Sequence, residues 1–385
     1  MANNSVSHAS PGSAKALLDG RFLHGLTNTE RPAARPEPGE SIEQFVTPAP
    51  PQKGDPETMK SPAAEDSPSF DRILLATDFS SASRSAFYTA LEVSTLVQGS
   101  LVVLHVFEDS DVAVPESGGS LLEMQGLREK CALALDQLRE QAAAAGVECK
   151  TILQDGIASS SILEVLEEHQ IDLAIIGTNA PHGFDRLVFG STAESVLRKA
   201  KCPVLTVGPR VARDAPNTNT GPVVFATDFE YSTIRAIRYA AYLSNQTSAP
   251  LHCVHVLPRT LEGGTQADVV PQIMAEALHQ LATDSGVMIE PPTCATTFGS
   301  EISYAVVDYA RQHKARLIVL GVRQASLLAS NVPEHITYRI ITEASCPVLT
   351  MAYGSATTPI EAPRGELQTR PREKHSRLTQ ERICK

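Results

Sequence analysis

Apolar residues in this chain gather into short continuous runs separated by longer stretches in which they recur every three or four positions. The runs cover residues 72–77, 101–107, 148–154, 172–176 and 203–207, each short enough for a strand. Between them, residues 81–98, 121–145, 161–169 and 192–201 carry helical spacing. Strands that are apolar almost throughout are buried on both faces, so the alternation predicts a parallel sheet covered by helices on either side. With right-handed crossovers, this is a doubly wound α/β unit.

The same order returns between Val223 and Met351. Ile-Leu-Leu-Ala-Thr-Asp-Phe at 73–79 is answered by Val-Val-Phe-Ala-Thr-Asp-Phe at 223–229, and His105-Val106 by His255-Val256, all displaced by 150 residues. Gly177 and the run from Cys202 to Thr206 return 144 residues later as Gly321 and the run from Cys346 to Thr350. Such a period is too long for a solenoid unit and is the size of a domain. The expected organisation is two doubly wound, parallel five-stranded α/β domains, 70–209 and 221–352, joined by a linker over 210–220. Residues 1–69, rich in Pro, Ala, Ser and Glu, and the polar residues 353–385 bury too little apolar surface to offset ordering, so both tails are expected to be disordered.

Charge changes the picture in one respect. The net charge of −11 resides in residues 70–353, with −3 on the N-terminal tail and +3 on the C-terminal one. An acidic core lacks the basic face that displaces counterions, so no nucleic-acid partner is expected. No apolar run has the length of a membrane span, and no charged-then-apolar leader opens the chain, so no membrane partner is expected either. The seven cysteines form no Cys-x-x-Cys pair and no metal-spaced cluster with histidine. That pattern fits a reduced compartment, and a cytoplasmic location is expected.

Candidate chemistry lies after the fourth strand, where Gly177-Thr178-Asn179-Ala180 is followed nine residues later by Gly190-Ser191. Ligands of open α/β sheets sit beyond the carboxyl ends of the strands. A glycine there admits backbone N–H groups close to a phosphate, and a helix start favours an anion. Each feature also has a structural reading. Gly177 suits a strand-to-loop turn, Ser191-Thr192-Ala193-Glu194 has the form of a capping box, and Asp78 is an acidic residue placed to cap a helix.

The chain resembles the universal stress protein family over about 70–209 and 221–352. The resemblance rests on the opening Leu-Leu-Ala-Thr-Asp78-Phe-Ser, the strand ending in Leu-His105-Val106, the Gly156 turn before Ile162-Leu-Glu-Val, and the Gly177 segment closing in Cys202-Pro203-Val204-Leu205. It implies an adenine-nucleotide alpha-hydrolase-like fold and a regulatory protein of the stress response that binds ATP, accompanied by Mg²⁺ or Mn²⁺. Carried over by position, Asp78 lies beside the adenosine and Val106 meets the base through its backbone. Gly177, Thr178, Ala180, Gly190, Ser191 and Thr192 line the phosphates. ATP-binding members carry Gly-x2-Gly-x9-Gly-Ser/Thr, whereas this chain has Ala180 at the second glycine, which adds a methyl group where the backbone approach is close. The family also pairs domains through the fifth strand, which implies an internal pseudo-dimer, with a homodimer as a further assembly.

The second copy departs further from the motif. Gln324 takes the second glycine position, and Glu334-His335 replace the Gly-Ser pair, so a carboxylate occupies the anion position of a pseudo-site. His182, in the first copy's loop, is a candidate phosphate contact or a solvated side chain. His105 and His255 are read as packing, and Cys202 and Cys346 as small core residues. No catalytic residue is assigned and no more than weak ATP hydrolysis is expected. The Ser-Gly-Gly-x-Asp-Ser loop of ATP pyrophosphatases is missing, as is a Gly-x4-Gly-Lys-Ser/Thr phosphate loop. The alternatives are a nucleotide-free interaction or scaffold module and, ranked below it, an ATP-hydrolysing enzyme of a related fold.

Overall fold

The computed structural model describes residues 68–108, 121–178, 190–211, 220–229, 236–285, 291–323 and 336–353. The first repeat runs β1 (Arg72–Ala76), α1 (Ser81–Val97), β2 (Ser100–Phe107), α2 (Leu121–Ala144), β3 (Cys149–Asp155), α3 (Ala158–Glu168), β4 (Leu173–Gly177), α4 (Ser191–Lys199) and β5 (Val204–Val207). The second runs β6 (Val223–Ala226), α5 (Ile237–Thr247), β7 (Leu251–Leu257), α6 (Thr265–Ser285), β8 (Thr293–Phe298), α7 (Ile302–Gln312), β9 (Leu317–Arg323), α8 (Ile336–Glu343) and β10 (Val348–Tyr353). The residues expected to form disordered tails lie outside the described residues, apart from 68–69 and 353, as do linker residues 212–219.

The strands form one sheet, ten-stranded among the described residues, in the order β3-β2-β1-β4-β5-β10-β9-β6-β7-β8. Each repeat contributes five parallel strands in the doubly wound arrangement expected. The second half reads as the first reversed. The halves meet where β5 and β10 run antiparallel, with Val348 opposite Thr206 and Leu349 opposite Leu205. Thr350 Oγ1 adds a bond to the Val204 carbonyl at 3.2 Å.

Alternation along the strands sorts the apolar side chains into two cores, one on each face of the sheet. On one face, Ile73, Leu75, Leu101 and Val103 of the first repeat and Val223, Phe225 and Cys253 of the second share a core with Phe87, Leu135, Ile237 and Met274 of α1, α2, α5 and α6. Leu74, Val102, Leu104 and Ala174 face α3, α4, α7 and α8, alongside Val165, Val196, Val306 and Ile341. Both cores include residues of both repeats. The seam is reinforced by Phe70, stacked on Tyr239 at 5.8 Å, and by an ion pair of 3.2 Å between Glu92 and Arg316.

Candidate functional site

The carboxyl ends of β2, β1 and β4 bring several of the chosen residues to one level. Ala76 pairs with Leu104 on one side and with Ile176 on the other. Two residues further along each strand lie Asp78, Val106 and Thr178. Asp78 projects to the exposed surface, while Val106 and Thr178 are buried. Gly190, Ser191 and Thr192 open α4 on the face that also holds α3. Ala180 and His182 lie outside the described residues, as do Gln324, Glu334 and His335 of the second copy.

The turn after β1 is held by side chains that the periodicity did not single out. Thr77 Oγ1 accepts the Phe79 N–H at 3.1 Å and donates to Ser83 Oγ at 3.1 Å. Phe79 is thereby fixed at φ 58, in the left-handed region a bulky side chain seldom adopts. Its ring rests against His105, with centroids 4.4 Å apart. His105 Nδ1 donates to the Thr77 carbonyl at 2.8 Å. The second repeat copies the Phe, Thr and His parts: Phe229 at φ 63 bonded to Thr227 Oγ1 at 3.0 Å, with His255 Nδ1 at 2.8 Å from the Thr227 carbonyl. These histidines, read as packing, are the braces of a strand-end turn. The signal was present in the sequence, since Thr, Asp, Phe and His all return at an offset of 150.

This turn aims Asp78. Ser80 is the N-cap of α1, its hydroxyl accepting the Ser83 N–H, so Asp78 is not the cap. Asp78 Oδ1 instead accepts the Ser80 N–H at 3.0 Å. Burial pulls its carboxyl upward, but the Ser80 hydroxyl and N–H, with Ser83, hold it below the usual carboxylate value. The result is an ionised acceptor at the strand edge, suited to donors such as a sugar hydroxyl or an exocyclic amine.

Two readings of the phosphate segment change. A Cβ on Gly177 would run into the Ala82 carbonyl and come within 2.8 Å of Ser83 N, so this glycine is required by the passage of α1 over the end of β4. At Gly190 nothing among the described residues lies within 4 Å of an added Cβ. The capping box is not formed. Gly190 itself is the N-cap, without a side-chain bond to the helix, and Glu194 turns away to pair with Arg198 at 2.6 Å. Arg198 is drawn there because Tyr338 of α8 takes its Nε at 3.3 Å. Among the described residues, no side chain caps the N–H groups at the start of α4. Nearby, Thr178 is 3% exposed, and its hydroxyl has no partner among the described residues.

On the α1–α2 side, the same strand end borders a cavity of about 310 Å³ lined by Ser80, Ser83, Arg84, Tyr88, Gln137 and Gln141, among others. Neither Gly177 nor Gly190 lines it. Among the described residues no cluster of three or more His, Cys, Asp or Glu could hold a metal ion. No helix among them is long and apolar enough to cross a membrane.

The architecture is that of a tandem α/β protein with its candidate site at the carboxyl edge of the parallel strands. The sequence profile of the universal stress protein family matches residues 69–208 and 220–351, and the chain belongs to that family. It is 30% identical over 139 residues to a universal stress protein of Methanocaldococcus jannaschii, MJ0531, covering 36% of this chain and 82% of that one. Universal stress protein A homolog 1 of Coxiella burnetii is 32% identical over 145 residues, covering 36% of this chain and 96% of its own. A crystal structure of a universal stress protein from Archaeoglobus fulgidus shares the fold with a TM-score of 0.59 at 21% identity, covering 74% of this chain and 98% of that one.

Proposed function

We propose that the first repeat holds one adenine nucleotide, ATP with Mg²⁺ or Mn²⁺, as the regulatory ligand of a stress-response protein. The observation that carries this reading is the buried Thr178 hydroxyl beside β4, which has no partner among the described residues, in a chain whose α4 N-cap, Gly190, has no side chain to cap the helix. A buried hydroxyl without a partner is costly, and an anionic ligand supplies the missing acceptor. The α4 N–H groups and a Gly190 that no described residue crowds suit phosphate oxygens, and the Asp78 carboxylate suits the nucleoside end. Gly177 lends less support than its motif position promised, since packing against α1 accounts for it.

In this reading the second repeat is a pseudo-site, because Glu334 and His335 stand where the first repeat has Gly190 and Ser191. At roughly 4 Å and an effective dielectric near 20, one carboxylate–phosphate repulsion costs about 4 kcal/mol, nearly a thousandfold in affinity. The antiparallel β5–β10 seam supports reading the two repeats as an internal pseudo-dimer. Mass analysis of nucleotide carried through native purification, followed by calorimetric titration with ATP and Mg²⁺, tests the proposal. One site per chain is expected, and no heat or thermal shift at millimolar ATP would overturn it. Binding at two equivalent sites would leave the nucleotide reading standing but sink the pseudo-site.

A further inference from the structure

One side-chain pair in the second repeat has no counterpart in the first. Cys253 on β7 and Cys294 on β8 are direct partners in the parallel ladder. The two equivalent positions of the first repeat, paired in the same way, are Val103 and Thr151. Strand alternation puts both cysteines on the α5–α6 face of the sheet, where Cys253 is fully buried and Cys294 is partly open on a strand at the sheet's edge. Neighbouring strands lie about 4.8 Å apart, inside the Cα separation of about 4.4–6.8 Å that a disulfide spans.

We propose that Cys253 and Cys294 form a hydroperoxide-responsive pair, with Cys294 the oxidised thiol and Cys253 the resolving one. Cys294 is the more accessible member, and the Cys253 thiol bonds to it, drawing Cys294 toward the thiolate. Burial, and then Cys294 itself, pushes Cys253 up, so it stays a thiol until a sulfur electrophile appears beside it. Three other thiols are suppressed by partial or full burial, with the half-buried Cys149 and Cys202 pushed up to about 11 and the buried Cys346 to about 12.

The Cys294 thiolate attacks one peroxide oxygen. An S–O bond forms, the O–O bond breaks, and the departing hydroxide takes a proton to become water. The sulfur is now a sulfenic acid and the peroxide has been reduced. Cys253 sulfur then attacks Cys294 sulfur: the S–S bond forms, the S–O bond breaks, and hydroxide leaves with the Cys253 proton as a second water. The disulfide ties the edge strand β8 to β7, whose His255 braces the Thr227 turn.

The test uses the full chain exposed to hydrogen peroxide, alkylated, digested and mapped by mass. Two alkylatable thiols per chain should be lost, a Cys253–Cys294 cross-linked peptide should appear, and dithiothreitol should restore both. C253V and C294T place at each position the residue that the first repeat carries, so the fold is expected to be kept, as circular dichroism can verify. C253V should accumulate Cys294 sulfenic acid, trapped by a cyclic 1,3-dione, while C294T should leave Cys253 reduced. The proposal is overturned if Cys294 stays alkylatable under exposures that oxidise Cys131 or Cys384. It is equally overturned if Cys294 joins to any cysteine other than Cys253.

Discussion

His105 Nδ1 lies 2.8 Å from the carbonyl oxygen of Thr77 and so closes the turn from which Asp78 projects. A carbonyl accepts only, so the ring carries its proton on Nδ1. Replacing His105 by Leu keeps the bulk, loses this donor, and removes the ring against which Phe79 rests in its left-handed conformation. The expected cost is about 1–3 kcal/mol, read as a lower urea midpoint at unchanged slope. His105→Asn retains a donor near the same place and should recover part of the loss. Equal losses in both variants would show that the ring, not the bond, does the bracing.

The equivalent His255 gives a pH signature. Burial lowers its pKa from 6.5, against smaller upward pulls from the Thr227 carbonyl and Asp228. His252 is lowered as well, by burial first and then by His313. With the folded value below the unfolded one, the unfolded chain binds more protons between the two values. Stability is therefore complete above pH 6.5 and declines as pH falls through that value towards the folded one. His255→Asn should flatten part of this slope in melts taken from about pH 8 to about pH 5. An unchanged slope would mean that His255 keeps an ordinary pKa.

The seam offers a third measurement. The Glu92 and Arg316 side chains, 27% and 18% exposed, meet at 3.2 Å between the repeats. Removing one partner takes this contact from a half-buried charge, so Arg316→Met is expected to cost about 1–3 kcal/mol, between the exposed and fully buried cases. Changing Glu92→Leu together with Arg316→Met should cost less than the sum of the single changes, since the pair's shared contact is then lost only once. Strict additivity would show that the pair is not coupled.

These residues also mark how much was legible beforehand. Strands such as Leu173–Gly177 could be read directly, because burial on both faces demands an unbroken apolar run. The start of α3 could not: Ala158 N donates to Glu108 Oε1 at 2.6 Å, a cap supplied by a residue 50 positions away. Likewise Ser191-Thr192-Ala193-Glu194 obeys the local rule for a capping box, yet Tyr338 holds Arg198 where it captures Glu194. At the site, the common level of Asp78, Val106 and Thr178 follows from strand order. What constrains Gly177 was hidden, because Ala82 and Ser83, which a Cβ there would meet, lie about a hundred residues earlier in the chain.

That contrast between the two glycines separates packing from binding. Gly177→Ala drives a methyl group into the backbone of Ala82 and Ser83, neither of which can swing aside as a flexible side-chain tip would. Overpacking of this kind costs about 1–3 kcal/mol, so its melting temperature should fall whether or not nucleotide is present. Gly190→Val meets no described residue within 4 Å and sits at φ −61, a conformation open to any residue, so its melt without ligand should match the parent. If phosphates occupy the space before α4, the valine side chain fills it, and the heat of ATP binding should vanish from a fully folded chain. Gly190→Ala should fall between, weakening binding without abolishing it. Parent-like ATP affinity in Gly190→Val would place the phosphates elsewhere. A large loss of stability in Gly190→Val would show instead that the α4 start is packed in a way its open surroundings do not indicate.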